Sequence, residues 1–237
     1  MFTLNSEDNR ITPVSAKSFS ELGFTERKHL QEWLAYRPDA LGEELLIIQK
    51  EFDGFDDTKE RLDLLALDKD GNLVIIENKL DDSGRDVVWQ ALKYASYCAS
   101  LTKVQIVEIF QKYLNRYHQG GDAYALLCEF FEALDIDEIK LNTGNGQRLM
   151  LVAANFRKEV TSTALWLLGQ GITVQCFKVT PYALGEQLLL GIDQIIPTPE
   201  AKELMIGISA KDAEEKSTEV VLKNRHTLRR AYWEIAL

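Results

Sequence analysis

The sequence predicts an α/β fold, a mixed central sheet flanked by helices. Three observations carry this. Residues 61–80 (RLDLLALDKDGNLVIIENKL) hold two apolar, β-rich runs around a polar turn, the pattern of an antiparallel hairpin. Residues 148–154, 160–168 and 172–180 read as strand, helix and strand, a unit that joins parallel strands. Helical stretches with one apolar side lie around both. A hairpin joined to a parallel pair makes a mixed sheet, and the helical connections cover its faces.

Taken in order, residues 1–22 read as a short strand and a loop, with Pro13 as a breaker. Thr25 suits an N-cap for a helix over 26–36, with Leu30, Trp33 and Leu34 on its apolar stripe and Glu26 on the same stripe. Pro38 ends it. A strand over 44–52 should pair with the hairpin, and the polar stretch 53–60 reads as a loop. After a turn at 81–84, a helix over about 85–101 places Val87, Ala91, Tyr94, Cys98 and Leu101 on one face. Helices over 103–117 and 123–134 follow, separated by Gly120-Gly121, and 142–146 forms a turn. After the strand–helix–strand unit, 188–196 adds a last short strand. Pro197 and Pro199 close a domain spanning 1–199. Residues 200–218 read as a connector, and a basic, aromatic helical pattern from 219 stops uncapped at Leu237, as if a further domain began there.

Charged residues interrupt the apolar hairpin at Asp63, Glu77 and Lys79. Glu77 and Lys79 are two apart on a strand, so they share a face. Asp63 joins them only if the turn allows it. A two-residue loop at Asp70-Gly71 puts Asp63 on the other face. A three-residue loop, Lys69-Asp70-Gly71, with Gly71 in the left-handed region, pairs Asp63 with Glu77. Both loops are open to this sequence. The second gathers two carboxylates and an ammonium on one patch and leaves Leu62, Leu64, Ala66, Val74, Ile76 and Leu80 as a core face. Paired carboxylates repel unless a cation lies between them. A hard divalent ion such as magnesium fits that role and can stabilise charge on a transferring phosphate.

The composition is that of a globular chain: 237 residues, 46% hydrophobic and 27% charged. A net charge of −10 argues against coating nucleic acid by bulk charge, though not against a local basic groove. The start has no secretory signal pattern, and no apolar run approaches a membrane span. Three scattered cysteines, Cys98, Cys128 and Cys176, suggest reduced thiols in a cytoplasmic protein. Three scattered histidines give no zinc signature. No phosphate-binding Gly-Lys loop, dinucleotide fingerprint or nucleophile elbow is present.

With Glu26 on a helix, Asp63 on a strand, Glu77-Asn78-Lys79 on its hairpin partner, and Gln90 and Tyr94 on the next helix, the chain resembles the PD-(D/E)xK nuclease superfamily over about residues 20–185. It looks most like the branch of mismatch or single-strand endonucleases, and like bacterial proteins that join such a domain to a C-terminal domain of unknown function. The resemblance implies a restriction-endonuclease-like fold and magnesium-dependent (or manganese-dependent) hydrolysis of DNA phosphodiesters. It also implies metal ligation by Asp63 and Glu77, with Glu26 and the Asn78 carbonyl added, and catalytic roles for Lys79, Gln90 and Tyr94. Arg85 and Lys93 become candidates for phosphate contact. Glu43 and Glu44 rival Glu26 as the helix carboxylate. The Pro usual before the Asp is absent, since Arg61-Leu62 precede Asp63. Trp89 reads as a packing residue. DNA is the expected partner, no membrane is, and a homodimer is left open. The competing class is a binding or interaction module derived from a nuclease fold without turnover, and further off an α/β scaffold.

Overall fold

The computed structural model describes residues 1–52, 61–144 and 146–198. In chain order, β1 (Phe2–Asn5) and β2 (Arg10–Pro13) form a small antiparallel hairpin, followed by β3 (Ser15–Ala16). A wide π-helical turn, Glu26–Leu30, runs into α1 (Gln31–Tyr36), and a tight 3₁₀ turn, Pro38–Leu41, leads to β4 (Leu45–Phe52). The central hairpin is β5 (Leu62–Asp68) and β6 (Leu73–Asp82). Then come α2 (Val87–Cys98), α3 (Lys103–Tyr117), α4 (Ala123–Phe131), β7 (Arg148–Asn155), α5 (Lys158–Gly169), β8 (Val174–Leu184) and β9 (Gln187–Ile196). By packing, Met1–Ile196 is one unit and Pro197–Leu237 another. The expected loop at 53–60 and the elements expected after residue 199 lie outside the described residues.

The main sheet runs β3-β8-β7-β6-β5-β4, with β9 on the other edge of β8. β4, β5 and β6 are antiparallel neighbours, while β6, β7 and β8 are parallel. This is the mixed sheet with flanking helices that the hairpin and the crossover predict. α2 packs on β6 and β7 and touches α5, while α1 packs on β5. Both faces of β5 are covered, because its side chains alternate between them and all are buried. Every residue of β5 is buried, and Leu62, Leu64, Leu65, Leu73, Ile75 and Ile76 have no exposed surface.

The turn takes the three-residue form. Leu67 pairs with Leu73 and Leu65 with Ile75, and the Asp68 amide donates to the Asn72 carbonyl at 3.1 Å. Gly71 has φ of 80°. A Cβ there would lie 2.0 Å from the Lys140 carbonyl oxygen, so the turn needs glycine twice over, for its conformation and for its contact. Asp68 Oδ1 accepts the Asp70 and Asn72 amides, which shapes the loop from inside.

The N-terminal region is more ordered than a strand and a loop. Besides the small hairpin, β3 joins the main sheet through Ser15–Ala183 and Ala16–Tyr182 pairs. Thr25 makes no side-chain cap. Instead its amide donates to His29 Nδ1 at 2.9 Å, and the first turn opens to π-helical spacing. The last strand, β9, is a full antiparallel partner of β8 over its length. The helix expected over 123–134 ends at Phe131, where Glu132 turns left-handed.

At one end of the sheet, Arg148 donates to both Glu43 oxygens at 2.6 Å, to Asp68 Oδ2 at 2.9 Å, and to Gln175. Burial of the guanidinium is offset by these partners, which raise its pKa above the ordinary arginine value. The network ties β4's entry to β5, β7 and β8.

Candidate active site

The register Leu64–Ile76 and Leu65–Ile75, continued by one residue, sets Asp63 opposite Glu77. Asp63 is 6% exposed and Glu77 2%. The Asn78 amide donates to Asp63 Oδ2 at 2.8 Å. Glu77 Oε1 is buried with no hydrogen-bond partner. Burial is the largest cause raising both carboxyl pKa values, and the charge of Asp63 raises that of Glu77 further; the Asn78 amide and the Lys79 charge pull the other way at Asp63. Two desolvated, mutually repelling acids with an orphaned oxygen suit a bound cation.

Lys79 is two residues on, on the same face, with its side chain 28% exposed. Glu26 comes to it: Oε1 lies 3.7 Å from Lys79 Nζ, and Oε2 accepts the Leu80 amide at 3.2 Å. The Leu80 amide lies near the far end of β6 (Leu73–Asp82), and the carboxylate from the π-helical turn accepts it. The rivals lie elsewhere. Glu43 is held by Arg148, and Glu44 lies 3.1 Å from Lys69.

α2 brings Tyr94 to the hairpin. The ring is 2% exposed, and burial, then the charges of Glu77 and Asp63, push its phenol up to about 12. Gln90 is half-buried, and its side chain makes no hydrogen bond within the described residues. Lys93 Nζ lies 5.2 Å over the Tyr94 ring. Arg85 is exposed, with Nε 4.0 Å from Glu159 of α5. Trp89 is not a packing residue: it is 67% exposed, because α2 buries Val87, Val88, Ala91 and Tyr94 and turns Trp89 outward.

Two neighbours escaped the sequence reading. Gln31 is 2% exposed, and its Nε2 donates to the Asp63 carbonyl at 2.9 Å. That carbonyl points toward β4, where the ladder pairs Lys50 with Leu64 and Phe52 with Leu62 but skips Glu51. Glu51 has φ of 49°, a costly conformation for a residue with a Cβ. The Gln31 amide thus serves the carbonyl beside this break in the ladder. The Glu51 carboxylate lies 3.3 Å from Arg27 and 4.0 Å from Arg61 and adds to the field that raises Asp63. A Gln on a helix's buried stripe was a readable signal for Gln31. Nothing in the sequence marks the twist at Glu51.

Among the described residues, no three His, Cys, Asp or Glu side chains gather as a ready-made metal cage. Magnesium does not need one, because it keeps several waters and is held through one or two carboxylates plus substrate phosphate. The Asp63–Glu77 pair fits that requirement. Glu26, committed to Lys79 and Leu80, sits beside the pair.

No family model matches the chain, and no curated protein matches it. Among solved structures it is similar to a repair endonuclease from Pyrococcus abyssi, at 16% identity over 65% of this chain and 48% of that one, with a TM-score of 0.33. It is also similar to EndoMS in a complex with dsDNA, at 16% identity over 69% of this chain and 49% of that one, with a TM-score of 0.34. The chain thus spans about half the length of each.

Proposed function

We propose that this chain is a divalent-cation-dependent endonuclease that hydrolyses DNA phosphodiester bonds, a member of the PD-(D/E)xK superfamily. The observation that carries the reading is the buried Asp63–Glu77 pair, with an orphaned Glu77 oxygen and Lys79 on the same strand face. The arrangement has the composition that phosphodiester hydrolysis needs: acceptors for a hard cation, and an ammonium for the developing negative charge.

Asp63 and Glu77, with the Asn78 carbonyl, would hold magnesium or manganese. The ion, when bound, supplies Lewis-acid stabilisation of the phosphate and a more acidic water. Lys79 orients the attacking water and offsets charge on the phosphate oxygens. Glu26 holds that ammonium in place through its contact at 3.7 Å. Tyr94 closes the site from α2, and Gln90 and Lys93 stand on the same helix for contact with the strand being cut. Arg85, at the helix entrance, is the outer phosphate contact.

Purified protein incubated with duplex, mismatched and single-stranded DNA, with magnesium, manganese or a chelator, tests the reading. Cleavage should require the cation. Glu77→Ala should abolish cleavage and weaken ion binding in titration calorimetry. Lys79→Ala should abolish cleavage while leaving ion binding intact or tighter, since a positive neighbour has gone. A Glu77→Ala protein that cleaves like the parent would refute the proposal.

A further inference from the structure

Beyond the carboxylate pair, the carboxyl ends of the parallel strands carry a second feature. Along one edge of β8, β7 pairs as far as Lys178, and β3 begins to pair at Tyr182. Between them the edge of β8 has no strand against it, and the result is a cleft of about 220 Å³. It is lined by Val179, Thr180 and Pro181, by Ala154 and Asn155 at the end of β7, by Asp81, by Lys178, and by residues 16–19. The wall is firm: Phe19 is fully buried, and the Lys17 amide donates to the Pro181 carbonyl at 2.9 Å.

Register places this cleft next to the candidate active site. Lys79 pairs with Ala153, and Ala153 pairs with Lys178. Paired residues point to the same face, so Lys79, Ala153 and Lys178 form one row across three strands. The middle member is a small, buried alanine. Lys178 and Lys17 are exposed, and neither forms an ion pair within the described residues. Two lysines therefore stand at one cleft, and the acids around them are Asp81 in the lining, Asp193 opposite Lys178 on β9, and Glu21, whose carboxylate accepts the Ser18 amide and feels the Lys17 charge. Ser18, Thr180 and Asn155 add neutral hydrogen-bond donors.

We propose that this cleft holds a backbone phosphate of the nucleic-acid strand next to the phosphate at Asp63 and Glu77, with Lys178 and Lys17 as its contacts. The inference deepens the endonuclease reading and rests on it. It assigns a function to the N-terminal segment: β3 and residues 17–19 build one wall of the substrate groove. The contact is to the backbone, so it sets register on the strand and carries no base preference.

The test uses the full chain with Lys178→Ala, Lys17→Ala and, as a control, Lys112→Ala on the exposed side of α3. All three change the net charge equally. Binding of fluorescein-labelled duplex and single-stranded DNA is measured by anisotropy in calcium across a salt series, with thermal midpoints as a check on folding. Each cleft lysine removed should weaken binding several-fold. It should also lower the slope of log affinity against log salt by about 0.9 on duplex or about 0.7 on single strands. Lys112→Ala should match the parent. In magnesium, the cleft variants should show a raised KM with kcat kept.

If Lys178→Ala and Lys17→Ala bind like Lys112→Ala while the parent binds and cuts DNA, the cleft assignment is wrong and the endonuclease reading stands. If the cleft variants lose affinity but the parent never cuts, the cleft assignment stands and hydrolysis is wrong. A parent that neither binds nor cuts nucleic acid overturns both.

Discussion

Gly71 offers the sharpest test of how the hairpin brings the two carboxylates together. In Gly71→Ala, the left-handed φ of 80° alone costs an alanine about 1 kcal/mol. The new Cβ would also lie 2.0 Å from the Lys140 carbonyl oxygen and 3.2 Å from its carbon, and both are backbone atoms. That segment cannot yield freely, because Ile139 and Leu141 are buried on either side of Lys140 and the Asn142 amide donates to the Gly71 carbonyl at 2.8 Å. Losing that bond adds about 1 kcal/mol, and displacing the two buried side chains adds about 1 to 3 kcal/mol. The sum is roughly 3 to 5 kcal/mol, or about 10 °C in midpoint for a unit of this size.

Gly185 is the matched control. It also has a left-handed φ, 59°, at the β8–β9 turn, but nothing lies within 4 Å of a built Cβ. Gly185→Ala should therefore cost only about 1 kcal/mol. Urea unfolding of the two variants and the parent, by circular dichroism, gives the comparison. A Gly71→Ala variant no less stable than Gly185→Ala would refute the reasoning, because neither the close approach to Lys140 nor the three-residue loop would then be holding the register.

Three further outcomes follow from the site and its surroundings. Replacing Gln31 with Leu keeps the volume but strands the buried Asp63 carbonyl, so stability should fall by about 1 to 3 kcal/mol in urea unfolding and cleavage should fall with it. Replacing Arg148 with Met leaves Glu43 and Asp68 without their shared cation and should cost about 3 to 5 kcal/mol, while adding Asp68→Asn to that variant should recover part of the loss. The carboxyl pair predicts a pH signature. Asp63 and Glu77 are raised in the folded chain, so their contribution to stability is full below the ordinary carboxylate range, near pH 4, and is lost as pH rises through the folded values. Without a divalent ion, the thermal midpoint should fall from mildly acidic to mildly alkaline pH, and Glu77→Gln should flatten that fall. Magnesium should flatten it in the parent, with proton release on binding measured by calorimetry in two buffers.

The secondary elements and the shared face of Glu77 and Lys79 were legible because they rest on local rules. Side chains on a strand alternate, apolar residues recur at helical spacing, and a strand–helix–strand unit joins parallel neighbours. Within the hairpin, only the tertiary structure chose between the two loops. Residues 61–80 allow either, and the choice rests on Gly71 packing against the Lys140 backbone about 70 residues away. The same holds for Glu26 over Glu43 and Glu44. All three are near in sequence, but Arg148 and Lys69 take the rivals, and the Leu80 amide of β6 donates to Glu26. The exposure of Trp89, the twist at Glu51 and the cleft between β7 and β3 are likewise set by which elements meet. Such contacts span long stretches of sequence, and no local pattern encodes them.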